Sequence, residues 1–432
     1  MSVSKHAPKN SGLGVAIDLG TSTIEAALVN PAMDGGERIL ARLKCPNPQA
    51  RWGGDVVSRI NEIRKNPEML TLLQQEAVNA CNGLIKGFMD KGRLNDFNGI
   101  AELAIAGNTA MEHMLLGVNP VCLSSPPYRP AFLKARRVPA RRLGLLSGPD
   151  AMLYAFPLIG GFVGGDTVAV SLLLGLRKEK STVLAIDIGT NSEIVLRANN
   201  ALFAASAAAG PAFEAGNISS GMLGQNGAIE GSEVVRGELR LKVIGDVLPK
   251  GVCGSGLVDI AASLLRLGAI DSTGRIKNKD EIATNIADRI MEDPAGNSIV
   301  LYKGAGARIT LTQNDLRMLQ NAKAAIRAGI NLLMKKAGVK ENDIEKVYIA
   351  GAFGGRLNPE ALSAIGLISR EWTGRVEFKA DAALLGATIA LGSENAKNEA
   401  ERIAESTKYV SLSGSMHFEK EFIKNMNLPA FS

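Results

Sequence analysis

One short motif occurs twice in the sequence, and it limits the fold more than any other feature. Residues 14–24 read Gly-Val-Ala-Ile-Asp-Leu-Gly-Thr-Ser-Thr-Ile, and residues 183–193 read Val-Leu-Ala-Ile-Asp-Ile-Gly-Thr-Asn-Ser-Glu. In each copy an apolar run ends in Asp-x-Gly-Thr and a second apolar run follows, which predicts a β-hairpin with glycine in its turn. The two aspartates, Asp18 and Asp187, are separated by the length of a domain. The repeat therefore predicts two related α/β domains.

The rest of the sequence fits alternating helices and strands. Helical spacing of apolar residues over 67–89 predicts a helix with Cys81 on its buried face. Further helices are predicted over 257–267, 311–336 and 381–406, and strands over 101–106 and 346–350. We therefore expect a flexible leader over residues 1–13, a first domain over 14–176, a second domain over 177–380, and a C-terminal segment over 381–432 whose helices return to the first domain before a tail.

Composition argues against several classes of protein. Hydrophobic residues make up 46% and charged residues 21% of the chain, as in an ordinary globular protein. The formal net charge is only +6 and aromatic residues are 4%, so we expect no nucleic-acid partner. The four cysteines, at positions 45, 81, 122 and 253, have no C-x-x-C spacing. We therefore expect no iron–sulfur cluster in this chain.

The most apolar segment, residues 151–176, is long enough to span a bilayer. Pro157, two glycine pairs and Asp166 interrupt it, so it is better interpreted as a buried strand, a glycine turn and a buried helix. The polar leader lacks the apolar core of a secretory signal. We therefore expect a cytoplasmic protein that does not enter a membrane.

The repeated Asp-x-Gly-Thr turn is suited to binding phosphate. Glycine lets the backbone approach a ligand, and successive N–H groups and the threonine hydroxyl can donate to phosphate oxygens. An aspartate at the strand end can hold Mg²⁺ through water or orient an attacking water. An ordinary glycine hairpin would explain one copy, but two copies at domain spacing favour a phosphate site. Asn108 follows the strand predicted over 101–106. Because open α/β sheets bind ligands at the carboxyl ends of their strands, we expect Asn108 to point into a ligand cleft there.

These motifs together resemble those of a known superfamily. The duplicated hairpins, Gly-Gly-Asp-Thr at 164–167 and Ile-Ala-Gly-Ala-Phe-Gly-Gly at 349–355 look like the phosphate, connecting and adenosine motifs of the actin-like ATPases, which include sugar kinases and heat-shock chaperones. The longer strings at 47–60, 106–117, 209–214 and 251–257 are similar to the ATPase portion of reductive activators of corrinoid-dependent enzymes. The resemblance implies an α/β fold of two related actin-like, ribonuclease-H-like ATPase domains that face a nucleotide cleft.

The resemblance also implies roles for the residues at matching positions. Asp18 and Asp187 would bind Mg²⁺, and these two with Asp166 would be the catalytic residues. The residues expected to contact ATP are Gly20, Thr21, Ser22 and Thr23 of the first loop, Gly189, Thr190 and Asn191 of the second loop, Asn108, Gln320 and Lys323, and Gly351, Ala352, Phe353, Gly354 and Gly355 beside adenosine.

The function implied by the resemblance is ATP-dependent reductive activation of a corrinoid protein from cobalt(II) to cobalt(I), with ATP hydrolysis driving domain closure. The expected cofactors are ATP and Mg²⁺, and the expected partner is the corrinoid protein of a methyltransferase system. Activators of this family commonly begin with a ferredoxin-like domain, and this sequence starts at the ATPase portion. We therefore expect a separate low-potential electron donor. The resemblance does not decide between a monomer and a homodimer. The alternatives are a small-molecule kinase and a nucleotide-switched actin-like structural protein.

Four further features have two interpretations each. His113 is a corrinoid ligand or a packed side chain, and Glu214 contributes to the cleft or is solvated. Cys253 precedes a helix whose N-terminus would favour a thiolate, but packing is the better explanation. The basic segment 129–142, which contains six Lys or Arg residues, is a solvated extended loop or a docking edge for an acidic protein.

Overall fold

The computed structural model describes residues 12–33, 35–304, 307–351 and 357–430. The chain divides into two compact units, one containing residues 1–178 and 382–409 and the other containing residues 179–381 and 410–432. Within the described part of the chain, none of the helices has both the length and the apolar character that a membrane span needs.

The first unit is built on a mixed sheet covered by helices. Its strands are β1 Leu13–Leu19, β2 Thr23–Val29, β3 Ile39–Pro46, β4 Ile100–Gly107, β5 Arg136–Pro139 and β6 Met152–Ala155. Its helices are α1 Val56–Lys65, α2 Met69–Asp90, α3 Thr109–Leu115 and α4 Gly165–Leu173, and its later part adds α8 Ala382–Ala390, α9 Glu394–Ser406 and the short strand β18 Thr407–Tyr409.

The second unit repeats this plan with insertions. Its strands are β7 Val183–Ile188, β8 Ser192–Ala198, β9 Ala201–Ala207, β10 Ala228–Val235, β11 Glu238–Val243, β12 Gly251–Val252, β13 Ile290–Met291, β14 Ser298–Gly304, β15 Ala307–Thr312, β16 Lys346–Gly351 and β17 Val376–Lys379. Its helices are α5 Gly254–Arg266, α6 Gln313–Ala337, α7 Pro359–Ala364 and α10 Met416–Lys424.

Strand order shows that the two units are related. In the first sheet the order is β3-β2-β1-β4-β6-β5, and in the second β17, β16, β7, β8 and β9 lie side by side in that order. The first three strands of each unit pair antiparallel, whereas β1 with β4 and β7 with β16 pair parallel. Each Asp-x-Gly-Thr turn therefore lies at the carboxyl end of the central strand of its sheet.

Most elements predicted from the sequence are present. The helix predicted over 67–89 is α2, and Cys81 on it is fully buried. The apolar segment 151–176 contains β6 and α4, as predicted. Strand β3 has no counterpart among the predicted elements, because Arg42 and Lys44 interrupt its apolar pattern and its side chains are only partly buried.

The C-terminal segment divides between the two units. Helices α8 and α9 belong with the first unit, where Arg177 forms an ion pair of 2.7 Å with Glu399 on α9. Residues from Val410 onward belong with the second unit, where Asn331 on α6 donates to Glu421 on α10 at 2.7 Å. The predicted assignment of residues 381–432 did not include this second attachment, which depends on the partly buried polar contact between α6 and α10.

Helices α4 and α8 approach each other very closely in the first unit. A Cβ atom added to Gly386 on α8 would lie 2.0 Å from the carbonyl oxygen of Ala169 on α4. Helix α8 also packs on β1 and β4, so it covers the sheet beside α4. Glycine is needed at 386 because a backbone atom occupies the space of any larger side chain.

We expect Gly386→Ala to lower the free energy of unfolding by about 1–3 kcal/mol, since the new methyl group must push the two helices apart. The matched control is Gly83→Ala in the interior of α2, where an added Cβ meets no atom within 4 Å. That variant should gain about 0.5–1 kcal/mol through helix propensity. Urea denaturation measures both, and equal effects of the two substitutions would contradict the close helix contact.

Candidate functional site

The first Asp-x-Gly-Thr loop lies beside the end of β4. In the parallel pairing of β1 with β4, Asp18 is opposite Ala106, so the half-buried Asp18 reaches the edge of the sheet where β4 turns into α3. Asn108 donates from Nδ2 to Oγ1 of Thr21 at 2.9 Å and accepts from the N–H of Met111 at 3.0 Å. The structure thus brings Asn108 against the predicted phosphate loop.

Two residues outside the predicted site hold the backbone of this loop. The carbonyl oxygen of Gly20 accepts from Nδ2 of Asn47 at 2.9 Å, and that of Ser22 accepts from the N–H of Asn47 at 2.8 Å. The carbonyl oxygen of Thr21 accepts from Nη2 of Arg59 at 2.7 Å. Carbonyl oxygens that would repel phosphate are therefore bonded to donors of the protein. Asn47 is the first and Arg59 the penultimate residue of the family-like string 47–60, but no local pattern in that string indicates this role.

The Arg59 side chain is completely buried, and each of its three guanidinium nitrogens donates a hydrogen bond. Its Nε donates to the carbonyl oxygen of Gly53 at 2.9 Å and its Nη1 to Oε1 of Gln49 at 3.1 Å. Burial lowers the pKa of Arg59 to about 10, and the nearby Asp55 partly offsets this shift. At neutral pH the guanidinium is charged, and it supplies positive charge beneath the loop.

Asp166 lies in the first turn of α4, close to a second buried carboxyl group. A Cβ atom on Gly164 would lie 2.5 Å from the backbone of Asn108, and a Cβ atom on Gly165 would lie 2.1 Å from Oε1 of Glu112. The two glycines therefore let α4 begin directly against the turn between β4 and α3. Asp166 accepts from the N–H of Thr167 at 2.6 Å.

Both carboxyl groups resist ionisation. Burial raises the pKa of Asp166 to about 6. Burial, and then the charge of Asp166, raise the pKa of Glu112 well above its ordinary value. Oε1 of Glu112 accepts from the N–H of Gly107 at 3.2 Å, while its buried Oε2 makes no hydrogen bond within the described residues. Burial therefore favours the protonated form of Glu112, while the hydrogen bonds from Thr167 favour the charged form of Asp166.

The second loop has the same position in the second unit. Asp187 pairs with Ala350 in the parallel register of β7 and β16. Gly351 follows with φ of 116°, and a Cβ atom there would lie 2.4 Å from the carbonyl oxygen of Ile188. The positive φ and this close approach both require glycine. The structure thus brings Gly351 against Asp187, while Ala352, Phe353, Gly354 and Gly355 lie outside the described residues.

Glu214 contacts the second loop. Its Oε2 accepts from Oγ1 of Thr190 at 2.9 Å, and burial raises the pKa of Glu214. The half-buried Glu214 is therefore placed beside Gly189 and Thr190, and the alternative of a solvated loop residue was wrong. Gly210, just before the turn that carries Glu214, donates its N–H to the carbonyl oxygen of Thr190 at 2.9 Å.

Gln320 and Lys323 are buried on α6 against the C-terminal segment. Gln320 donates to the carbonyl oxygens of Thr273 at 3.0 Å and Met426 at 2.9 Å, and Lys323 donates from Nζ to that of Asn427 at 2.5 Å. The alternative of a solvated Lys323 was wrong. Contact of these two side chains with adenosine stays a prediction, and any such contact has to compete with these internal hydrogen bonds.

His113 and Cys253 are packed side chains. The backbone N–H of Ala131 donates to Nε2 of His113 at 3.0 Å, and the carbonyl oxygen of Thr109 is 2.7 Å from Nδ1. The His113 ring also stacks on Phe132, and burial lowers its pKa. Both ring nitrogens are occupied, so His113 packs in the fold. The buried Cys253 precedes α5, and its Sγ atom lies 3.3 Å from the carbonyl oxygen of Ile229. Among the described residues, no group of three or more His, Cys, Asp or Glu residues could hold a metal ion.

The related sheets, each with an Asp-x-Gly-Thr loop after its central strand, define a protein of the actin-like (ASKHA) class. A family model described as the C-terminal domain of RACo, the ASKHA domain, matches residues 181–432, and a model of the RACo middle region matches residues 13–179. The chain therefore belongs to the RACo family, and the resemblance inferred from the sequence motifs is confirmed.

Individual relatives bear names that refer to corrinoid proteins. The chain is 32% identical over 418 residues to the corrinoid activation enzyme RamQ of Eubacterium limosum, covering 95% of this chain and 70% of that protein. It is 28% identical over 234 residues to a Co(II) methylated amine-specific corrinoid protein reductase of Methanosarcina barkeri, covering 49% and 39% of the two chains. A solved structure of a reductive activator for corrinoid, iron-sulfur protein matches with a TM-score of 0.86 and 33% identity, covering 98% of this chain and 67% of that chain.

The substitution Glu112→Gln tests the buried carboxyl pair. Because the pKa of Glu112 is higher in the folded than in the unfolded chain, the folded protein holds more protons between the two pKa values and loses stability as pH rises. Glutamine has nearly the same shape and does not ionise. We therefore expect the free energy of unfolding of the variant, relative to that of the wild type, to increase as pH rises from about 4 to about 8.

Urea denaturation at several pH values measures this difference. Glu68→Gln, at an exposed position of the same unit, serves as the control and should differ from the wild type by the same amount at each pH. A difference that does not change with pH for Glu112→Gln would contradict the raised pKa of Glu112.

Proposed function

We propose that this chain hydrolyses ATP to assist the reduction of a corrinoid protein from cobalt(II) to cobalt(I). Membership of the RACo family and the names of the relatives support the corrinoid partner. The observation that carries the ATP-dependent part is the pair of Asp-x-Gly-Thr loops, each at the carboxyl end of a central strand. Arg59 binds the backbone of the first loop, and Glu214 binds the side chain of Thr190 in the second loop.

The residues of the first loop fit a nucleotide phosphate, and the aspartate of each loop fits Mg²⁺. The loop carbonyls of Gly20, Thr21 and Ser22 are bonded to Asn47 and Arg59, so the backbone N–H groups and hydroxyls are the groups left to receive phosphate oxygens. Carboxylate oxygens are the ligands that Mg²⁺ prefers, and it commonly takes only one or two of them beside water and substrate phosphates. A cluster of three protein ligands is therefore not needed.

We assign three carboxylates to the hydrolysis. Asp18 and Asp187 would hold Mg²⁺, which supplies charge neutralisation for phosphoryl transfer. Asp166 would orient the attacking water, since hydrogen bonds from Thr167 favour its charged form, whereas burial favours the protonated form of its neighbour Glu112. Thr190 and Glu214 would fix the second loop by their hydrogen bond.

Hydrolysis provides free energy that binding alone does not supply. A tenfold difference in affinity for two redox states, about 1.4 kcal/mol, changes a one-electron potential by only about 59 mV. The proposed coupling is that hydrolysis drives domain closure and thereby changes the affinity of this protein for the partner. The electron would come from a separate low-potential donor. This protein would alternate between two conformations, one that binds the corrinoid protein and one that releases it.

The basic segment 129–142 supplies a candidate docking edge in the first unit. It is not the extended loop predicted as one alternative, because Arg136–Pro139 form the edge strand β5 next to β6. Arg137 forms an ion pair of 2.6 Å with Glu394, and Arg141 donates to the carbonyl oxygen of Ser147. These internal contacts leave the exposed Arg136 and Arg142 as the better docking residues.

The function is tested with a cobalt(II) corrinoid protein and a low-potential reductant under anaerobic conditions. We expect the cobalt(I) yield, followed by visible absorbance, to require ATP and Mg²⁺. Asp18→Asn and Asp187→Asn should each lower ATP hydrolysis and the cobalt(I) yield by about 10²-fold or more, because they remove charge and not volume. Asp150→Asn, at an exposed position, should leave both unchanged.

A cobalt(I) yield that does not depend on ATP with each of several corrinoid proteins would refute the activator function. Hydrolysis stimulated by a sugar would then favour the kinase, and nucleotide-dependent polymerisation would favour the structural protein.

The docking edge is tested by the rate of association with the same corrinoid protein. The double substitution Arg136→Ala and Arg142→Ala should slow association by about tenfold at low salt and have little effect at high salt, because exposed charges act mainly through long-range attraction. The double substitution Lys86→Ala and Lys91→Ala removes the same charge from other exposed positions of this unit. Equal slowing by both pairs would contradict a specific docking edge.

A further inference from the structure

The second unit contains a cavity of about 760 Å³ that the proposed function does not use. Helices α5, α6 and α7, the turn before β17 and the C-terminal segment surround it. Five basic residues line it, namely Arg266, Lys323, Arg327, Arg370 and Lys424, whereas Glu360 is the one acidic residue among its described lining residues. Such an excess of positive charge around a concave site attracts anions.

The two innermost cations are buried on α6. Lys323 is 1% exposed and Arg327 is 8% exposed. Nη2 of Arg327 pairs with Glu341, and its guanidinium lies 5.1 Å from the centre of the Trp372 ring. Its Nη1 is buried and makes no hydrogen bond within the described residues. A buried donor left without an acceptor costs about 1–3 kcal/mol, so a ligand that accepts from Nη1 would recover this loss.

Lys323 and Arg327 also repel each other. Burial, and then the charge of Arg327, lower the pKa of Lys323 to about 8. The ammonium group donates to one carbonyl oxygen of the C-terminal segment, that of Asn427, and has two more hydrogens to donate. An anion between the two side chains would accept these hydrogens and cancel the repulsion.

The cavity differs from the nucleotide loop of the same unit in place and in chemistry. Arg370 lies in the turn just before β17, at the amino ends of the parallel strands, whereas Asp187 and Gly351 lie at the carboxyl ends. Adenosine is uncharged, so five basic residues are not explained by the base and ribose that Lys323 was predicted to contact. The volume exceeds that of a single phosphate and falls in the range of small-molecule sites.

From these observations we propose that the cavity binds a phosphorylated small molecule with two or more negative charges, at a site separate from the Asp187 loop. Arg327 and Lys323 form the inner part of the site, and Arg370 and Lys424 form its exposed rim. Lys424, Asn427 and Pro429 belong to the C-terminal segment, so the ligand would also fix this segment against α6.

Calorimetric titration of the full chain with inorganic pyrophosphate and with glucose 6-phosphate tests the site. We expect at least one of them to bind, and Arg327→Gln to weaken it by about tenfold or more. Because Arg327→Gln also removes the contact with Glu341, the double substitution Arg370→Gln and Lys424→Gln at exposed rim positions provides a second variant that should weaken binding similarly. Stronger binding of pyrophosphate would indicate a polyphosphate ligand, and stronger binding of glucose 6-phosphate would indicate a sugar phosphate.

The matched control is the double substitution Arg240→Gln and Lys336→Gln, which removes the same charge from exposed positions of the second unit that do not line the cavity. It should leave the affinity unchanged. Three results would overturn the proposal: no binding of either phosphate compound, equal weakening by the control pair, or binding of uncharged adenosine that Arg327→Gln weakens to the same extent. None of these results depends on ATP hydrolysis or on a corrinoid protein.

Discussion

Parallel pairing between the central strand and its neighbour is the constraint on which the position of each Asp-x-Gly-Thr loop depends. Asp18 pairs with Ala106 and Asp187 pairs with Ala350, so in each unit an aspartate comes to the sheet edge where the neighbouring strand turns away. A shift of this register by one residue would turn each aspartate to the other face of its sheet. The hydrogen bonds of the sheet therefore fix the position of the carboxylates before any ligand is bound.

The polar groups that support the first loop show why burial of charge is tolerated there. Arg59 is completely buried, yet three of its nitrogens donate to oxygen atoms at 2.7–3.1 Å. A buried charge is tolerated when its hydrogen bonds are complete, and removing one partner leaves a large penalty. Glu112 differs from Arg59, because one of its oxygens has no partner among the described residues and burial raises its pKa, which favours the uncharged form.

The sequence predicted the parts of this fold that depend on local pattern. The repeated Asp-x-Gly-Thr turns, helix α2 and the strand, turn and helix over 151–176 follow from spacing alone. The hydrogen bond from Arg59 to Thr21 joins residues 38 positions apart, and the hydrogen bond from Lys323 to Asn427 joins residues 104 positions apart. Contacts of this kind follow from tertiary packing, which no local pattern encodes. The family-like strings marked the segment with Arg59 as important without indicating its partner.

The close contact between α4 and α8 has a mechanical consequence. Because Gly386 leaves no clearance from the backbone of Ala169, the two helices are packed as one rigid pair within the first unit. Asp166 lies near one end of this helix pair, in the first turn of α4. A displacement of α8 would therefore be transmitted to α4, so a segment more than two hundred residues later in the chain is mechanically coupled to the carboxylate that we propose orients the attacking water.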